Sequence, residues 1–324
     1  MPSPILIIGS FIQDLTFHVS RFPAPGETLL GDFVTGPGGK GSNQAIAAAR
    51  TGVPTAFAGA VGNDAFGDGA EKFHAAEGIE HHFLRMTDAP TGTAGISVNA
   101  QGQNHIIVAL GASGRFGSDA IEEKWILDAE VVVLQFEIAP KTVASLLERS
   151  HRLGRTTILN PAPMNDTVDL GILKNVDILI PNESEFAAIA RRHPAIANPM
   201  FTEELLATLP GAELHALCRQ TDVPTVIVTL GKRGCLVSQP TGFEVIPILS
   251  GVDAVDTTGA GDAFVGGFAS GLVRFKGDIP RAARFGSVVA GLSVTKRGAA
   301  LAMPQKAEIE AAWARFSHSA LRLG

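Results

Sequence analysis

Val131-Val132-Val133-Leu134-Gln135-Phe136 is an apolar run of strand length, a helical pattern over Lys141 to Leu153 follows it, and Thr157-Ile158-Leu159-Asn160 returns as a second short strand. A strand, a helix and a strand in that order make a crossover unit, with two parallel strands in one sheet and the helix across its face. The same rhythm continues outward. Ile5 to Gly9, Asn43 to Arg50, Thr55 to Val61 and Asp68 to Glu77 precede the unit, while Val176 to Pro181, Glu183 to Arg192 and Thr225 to Gly231 follow it. Each run is closed by Pro, Gly or a polar cap. The sequence therefore predicts an α/β fold: a three-layer sandwich around a mostly parallel central sheet.

Two stretches break the rhythm, because Thr16 to Thr35 and Thr93 to Leu110 read as strands and turns with no helix between them. In the second, Ile96 and Val98 alternate with small or polar residues, Ala100-Gln101-Gly102-Gln103 supplies a turn, and His105 to Leu110 returns as a strand. A small β-sheet built from both segments, about residues 11–36 and 93–111, is expected to project from a single domain spanning 1–324. Arg191 to Pro210 reads as a loop carrying a helix, not as a domain boundary.

Composition narrows the function. The chain has 324 residues, 45% of them hydrophobic, enough to bury a sizeable core. Lys and Arg total 26 against 32 Asp and Glu, and the net charge of -6 provides no overall field for nucleic acid or an anionic membrane. Any anionic ligand must be held by a local device. The apolar run Met1 to Ser10 carries no basic residue ahead of it, and no stretch reaches the roughly 18 apolar residues of a membrane span. A soluble, cytoplasmic chain is expected. Cys218 and Cys235 are too few and too isolated for a disulfide framework or a Cys-rich zinc site and read as ordinary buried thiols.

From Val255 to Gly271 the chain reads Val-Asp-Thr-Thr-Gly-Ala-Gly-Asp-Ala-Phe-Val-Gly-Gly-Phe-Ala-Ser-Gly, a glycine turn running directly into an apolar helix. Glycines let successive backbone N–H groups converge, and a helix start adds about half a positive charge there. Gly259, Ala260 and Gly261 thus form a candidate anion hole, with Asp262 at its mouth. A carboxylate so placed accepts a hydroxyl proton while the hole holds a transferring phosphoryl group. The local alternative is that Asp262 simply caps the helix. Gly36-Pro37-Gly38-Gly39-Lys40-Gly41 matches the dinucleotide-binding glycine pattern literally, but it does not follow the first strand, and its Gly-Lys pair lacks the Ser or Thr of a phosphate-binding P-loop. Neither class is supported.

Gly38-Gly39-Lys40-Gly41-Ser42-Asn43-Gln44 and Asp256-Thr257-Thr258-Gly259-Ala260-Gly261-Asp262-Ala263-Phe264 together resemble the two signatures of the ribokinase-like (PfkB) carbohydrate kinases. The resemblance spans nearly the whole chain, since Pro23 to Thr28, Asn160 to Pro163, Pro181 to Glu185 and Thr229 to Gly231 fall in the same order and spacing. It implies an ATP-dependent kinase that phosphorylates the primary hydroxyl of a pentose such as D-ribose. Fructose, a keto-deoxy sugar acid or a nucleoside are the alternative substrates, and a catalytically silent sugar or nucleotide sensor is the alternative of another class. By the same resemblance Asp262 is the base, and Asp14, Gly39, Lys40, Gly41, Asn43 and Glu137 bind the sugar. Asn182, Glu185, Thr229, Gly231, Gly261 and Ser287 serve ATP with its Mg²⁺. Asp256 and Thr258, with Ser293, Lys296 and Gly298, surround a potassium ion, although Ala302 replaces a serine usual there and Ile12 an asparagine that often touches the sugar. The small sheet is implied to be a lid over the sugar and a homodimer contact. Read alone, Asp14 is also an ordinary turn residue, Glu137 a helix N-terminal charge, Lys40 a surface lysine, and Asn182 with Glu185 a capping box.

Overall fold

The structure, a computed structural model, describes residues 2–320. The strands are β1 (Ile5–Ile8), β2 (Ile12–His18), β3 (Asp32–Gly38), β4 (Thr55–Gly62), β5 (Glu80–Met86), β6 (Gly92–Val98), β7 (Asn104–Ala109), β8 (Val131–Leu134), β9 (Thr156–Leu159), β10 (Ile178–Leu179), β11 (Thr225–Thr229), β12 (Cys235–Gln239) and β13 (Gly242–Ile246). The helices are α1 (Lys40–Arg50), α2 (Ala65–Ala76), α3 (Gly111–Arg115), α4 (Glu123–Asp128), α5 (Pro140–Arg152), α6 (Glu183–Arg192), α7 (Glu203–Thr208), α8 (Gly211–Arg219), α9 (Ala260–Arg274), α10 (Ile279–Ser293) and α11 (Lys306–Ala320).

Among the described residues, nine strands form one sheet in the order β13-β12-β11-β10-β9-β8-β1-β4-β5, parallel from β11 to β5 and antiparallel at the β12–β13 edge. Side chains alternate between the faces, so the continuous apolar runs serve two cores at once. Leu6, Ile8, Val132, Leu134 and Leu159 face a layer that includes Leu146 of α5, Phe186 of α6 and Leu214 of α8. Ile5, Ile7, Val131, Val133 and Ile158 face Ile46 of α1, Phe268 of α9, Phe285 of α10 and Trp313 of α11. Three layers result, as the alternation of strands and helices implies.

Strand ends differ from the sequence reading where a polar group is diverted. β8 stops at Leu134, and the next side chain, Gln135, turns into a buried amide cluster. β10 is reduced to Ile178–Leu179, because Pro181 has no N–H to continue the ladder and the Ile180 carbonyl accepts the Asn160 side chain. The antiparallel edge β12–β13, which the crossover rhythm does not announce, turns at Pro240-Thr241-Gly242.

α9 carries glycines that are costly in a helix interior, yet each permits a close approach. A Cβ on Gly266 would meet the Gln44 carbonyl at 2.3 Å, and one on Gly271 would meet Ala282 Cα at 2.9 Å. α9 therefore lies directly on α1 and α10, which brings the starts of α1 and α9 together. The separate four-stranded sheet has the order β3-β2-β6-β7, and β2 pairs with β6 in parallel from Ile12↔Gly92 to His18↔Val98. Phe17, Phe33, Val34, Ile106, Ile107 and Val108 are exposed on it.

Candidate active site

β1 lies between β4 and β8, so the chain leaves it in opposite directions to reach its neighbours, and a crevice opens beyond its carboxyl end. The start of α1 fills the base of that crevice. A Cβ on Gly41 would sit 2.8 Å from Gly9 Cα and from the Ser10 nitrogen, so a side chain there would push the helix away. The Ser42 N–H donates to the Ser10 carbonyl at 3.0 Å. Glu137, just past β8, accepts the Lys40 N–H at 2.8 Å and the Ser10 hydroxyl at 2.5 Å on one carboxylate oxygen. Its partner is thus the first turn of α1, and not the helix that follows Glu137 in sequence. Asp14 on β2 lies over Gly38, whose missing Cβ would fall 2.4 Å from its carboxylate.

Asp262 sits in the first turn of α9 and is 7% exposed. Its carboxylate does not cap the helix: the N-cap is Gly259, at φ 74, and no side-chain cap bond is formed. Instead the Asn43 amide donates to one oxygen at 2.9 Å and the Gln44 amide to the other at 3.0 Å. The same Gln44 nitrogen donates to Asn160 at 3.1 Å, Gln135 donates back to Gln44 at 2.7 Å, and Asn160 donates to the Ile180 carbonyl at 2.9 Å. A chain of amides across three strand ends therefore fixes the plane of the Asp262 carboxylate. Asn43 Oδ1 is buried and has no hydrogen-bond partner among the described residues, an acceptor that a ligand hydroxyl suits.

Beside Asp262 a cleft is lined by Lys40, Asn160, Asn182, Glu185, Thr229, Gly259 and Gly261. Lys40 is partly buried here and is not a surface lysine. Burial alone lowers its ammonium, but the carboxylates of Asp262, Glu137 and Glu185 outweigh that effect and hold it above its ordinary value. Burial raises Glu185. Glu185 accepts the Asn182 N–H at 2.9 Å while Asn182 Oδ1 accepts the Glu185 N–H at 2.8 Å, a complete capping box that opens α6 onto the cleft. Asn182 and Thr229 are bridged in parallel, so the ends of β10 and β11 meet there. Gly231, at φ 51, opens the turn just beyond. Ser287 on α10 lies against the Cys235 thiol and is not among the cleft-lining residues.

Asp256, Thr258 and Gly298 form a group behind the glycine turn. Asp256 accepts the Thr258 N–H at 2.9 Å, the Thr258 hydroxyl at 2.7 Å and the Gly298 N–H at 2.9 Å. Burial works against its charge, yet these bonds win and hold the carboxyl below its usual range. A Cβ on Gly259 would meet Ala299 at 3.1 Å, so the turn after Gly298 backs the anion hole directly. Ser293 ends α10 and Lys296 lies just beyond it: the Ser293 hydroxyl donates to the Ala290 carbonyl at 2.8 Å, and the Lys296 ammonium pairs with Glu308 at 2.8 Å. Ala302 is buried in the adjoining turn. Ile12 is also buried, against Gly92.

Site members that sequence reasoning leaves unassigned are Ser10, Gln44, Gln135 and Asn160. For Ser10, Gln135 and Asn160 the signal is a polar residue just beyond a strand's carboxyl end, where the two-sided strand pattern favours apolar ones, and for Gln44 it is a polar side chain in the small, apolar run of α1.

An acid fixed at a glycine-rich helix start, with a lysine-lined cleft on one side and further acids on the other, is an arrangement that suits a phosphotransferase acting on a hydroxyl. A model of the pfkB family carbohydrate kinases matches residues 3–306, and this chain belongs to that family. Ribokinase of Haemophilus influenzae is 33% identical over 312 residues, which cover 95% of this chain and 97% of that protein. The structure of ribokinase from Giardia lamblia superposes with a TM-score of 0.88 at 32% identity, covering 98% of this chain and 100% of that one. Arabidopsis thaliana ribokinase complexed with ribose and ATP superposes with a TM-score of 0.82 at 29% identity, covering 97% and 99%.

Proposed function

We propose that this kinase transfers the γ-phosphoryl group of ATP to the primary hydroxyl of D-ribose, with Asp262 as general base. The observation that carries the reading is the Asp262 carboxylate, held by two amides at the mouth of the glycine turn and open to a cleft. Phosphoryl transfer asks mainly that the alcohol be aligned and the phosphoryl charge stabilised. The N–H groups of Gly259 and Gly261, at a helix start, supply that stabilisation, the Ala260 N–H between them donates to the Thr257 carbonyl at 3.1 Å and joins them only if that bond opens, and Lys40 adds positive charge near Asp262, Glu137 and Glu185.

Asp14, Glu137, Asn43 and the Gly39–Gly41 turn form the sugar side. Carboxylates and an unpaired amide oxygen accept from neighbouring hydroxyls, which suits a neutral polyol. A sugar acid is disfavoured, because Asp14, Glu137 and Asp262 would face its carboxylate. The relatives named ribokinase, and the one whose structure holds ribose and ATP, favour ribose over fructose or a nucleoside. An arranged base argues against a silent sensor.

Asn182, Glu185, Thr229 and Gly261 on the cleft wall, with Gly231 just beyond it, are assigned to ATP, while Ser287, which lies against Cys235 outside that lining, keeps the assignment from the family resemblance alone. Among the described residues no group of three or more His, Cys, Asp and Glu is gathered to hold a metal, so Mg²⁺ fits as an ion that arrives with ATP and keeps most of its waters, steadied by Glu185. A monovalent cation such as K⁺ fits the single carboxylate of Asp256, the Thr258 oxygens and the carbonyls of Ser293, Lys296 and Gly298. When bound it would add positive charge behind the anion hole. The four-stranded sheet acts as a lid, and its exposed apolar residues suit a homodimer contact. Among the described residues no helix is long and apolar enough to cross a membrane, and a cytoplasmic setting suits an ATP-consuming sugar kinase.

The test is a panel of sugars and nucleosides with MgATP, with and without potassium, run on the wild type and Asp262→Asn. Ribose is expected to give the highest kcat/KM, and the variant to keep nucleotide binding while losing about a hundredfold to ten-thousandfold in kcat. Normal turnover by Asp262→Asn removes the base from that residue.

A further inference from the structure

His74 of α2 takes no part in the chemistry above, yet it is wholly buried, as is Ser42 in the first turn of α1. Its ring is enclosed by those of Phe57 at 4.9 Å, Phe83 at 5.0 Å, Phe11 at 6.0 Å and Phe73 at 6.1 Å between centroids. Nδ1 lies 2.9 Å from the Ala70 carbonyl, an acceptor only, so Nδ1 carries the proton. Burial pushes the imidazole down to about 4, which leaves it neutral in ordinary buffers with a lone pair on Nε2. That nitrogen is 3.3 Å from the Ser42 hydroxyl, which therefore donates to it.

We propose that His74, acting through Ser42, is a positioning residue for the sugar site: it sets the rotation of the first turn of α1 and thereby the Asn43 and Gln44 amides that orient Asp262. This rests on the reading of Asp262 as the base. The turn needs such a device. Its N-cap, Gly39, makes no side-chain cap bond, and Gly39 and Gly41 have no side chains to lock it. Glu137 on the Lys40 N–H and the Ser10 carbonyl on the Ser42 N–H hold it from the β1 side. The Ser42 hydroxyl anchors it to α2. Successive helical residues point about 100° apart, so a hydroxyl held toward α2 leaves the next side chain, Asn43, directed at α9. The aromatic enclosure keeps the imidazole from following a drifting hydroxyl.

The experiment uses the full chain and its best sugar from the panel, with His74→Leu, Ser42→Ala, the double variant and His74→Gln, which returns an acceptor to Ser42. Each is measured for sugar KM, ATP KM, kcat and thermal midpoint. His74→Leu and Ser42→Ala each strand a buried polar group and lower the midpoint, and removing both groups largely restores it. Sugar KM behaves otherwise. It is expected to rise about fivefold to tenfold in each single variant and to stay raised to the same extent in the double, since residues acting through one contact are not additive. His74→Gln recovers most of the sugar KM, and ATP KM stays within about twofold throughout. A sugar KM that returns to the wild-type value with the midpoint in the double variant, or that rises additively, overturns the proposal. Should His74→Leu fail to fold, Ser42→Ala against His74→Gln makes the same comparison. Failure of the underlying reading shows itself separately, as an Asp262→Asn chain that still turns over.

Discussion

Burial, reinforced by the nearby carboxylates of Glu137 and Asp262, pushes the Asp14 carboxyl up to about 7. Between about pH 4, where an unfolded aspartate ionises, and about pH 7 the folded chain therefore holds a proton that the unfolded chain has released. Stability falls with rising pH across that window and levels off above it. Asp14→Asn removes the effect, so in urea titrations the variant's advantage should be absent near pH 3, grow through the window and reach about 1–2 kcal/mol at pH 8 once solvent screening is allowed for. The same variant should weaken sugar binding. A stability difference independent of pH would show that Asp14 titrates normally. Nothing in the stretch around Asp14 marks it as an elevated acid. The charges responsible, Glu137 and Asp262, lie far along the chain.

At the scale of elements, the strands that alternate with helices are legible from their apolar runs, and of the two helix-free stretches the second is legible as strands from the alternation at Ile96 and Val98. What joins those stretches is β2 beside β6, a parallel pairing between distant segments that no turn residue announces. The result is a sheet whose outer strands carry exposed apolar side chains, with β3 running directly into the Gly39–Gly41 turn proposed to bind the sugar. Closed over the sugar, it would exclude the water that otherwise competes for the phosphoryl group. Shortening the β6–β7 hairpin should raise ATP hydrolysis relative to sugar phosphorylation, measured as ADP formed without sugar against ADP formed with it. An unchanged ratio would remove the lid from the mechanism. The capping box at Asn182 and Glu185 shows how one element serves two ends, since the residues that start α6 also line the cleft.

Across the whole molecule, the two cores on either side of the large sheet each contain one cysteine, Cys218 on one face and Cys235 on the other. Burial pushes both thiols up to about 12, which leaves them without thiolate at neutral pH. The native chain should react with neither under a thiol-specific chromogenic reagent, and unfolding in urea should release both together if the two cores melt cooperatively. Two steps would show that the layers unfold separately. The amino-acid order by itself determined the layered α/β architecture, because side-chain period and run length are local properties that a two-sided parallel sheet requires. It also determined the glycine turn with its acid, because a helix start and its dipole are built from neighbouring residues. Only the tertiary structure decided which groups that acid meets. Asn43 and Asp262 are 219 positions apart, and Lys40 and Glu137 are 97 apart. Whether an aspartate caps its own helix or is held across the fold depends on which donors face it, and those donors arrive only when α9, stripped of side chains at its glycines, packs directly onto α1.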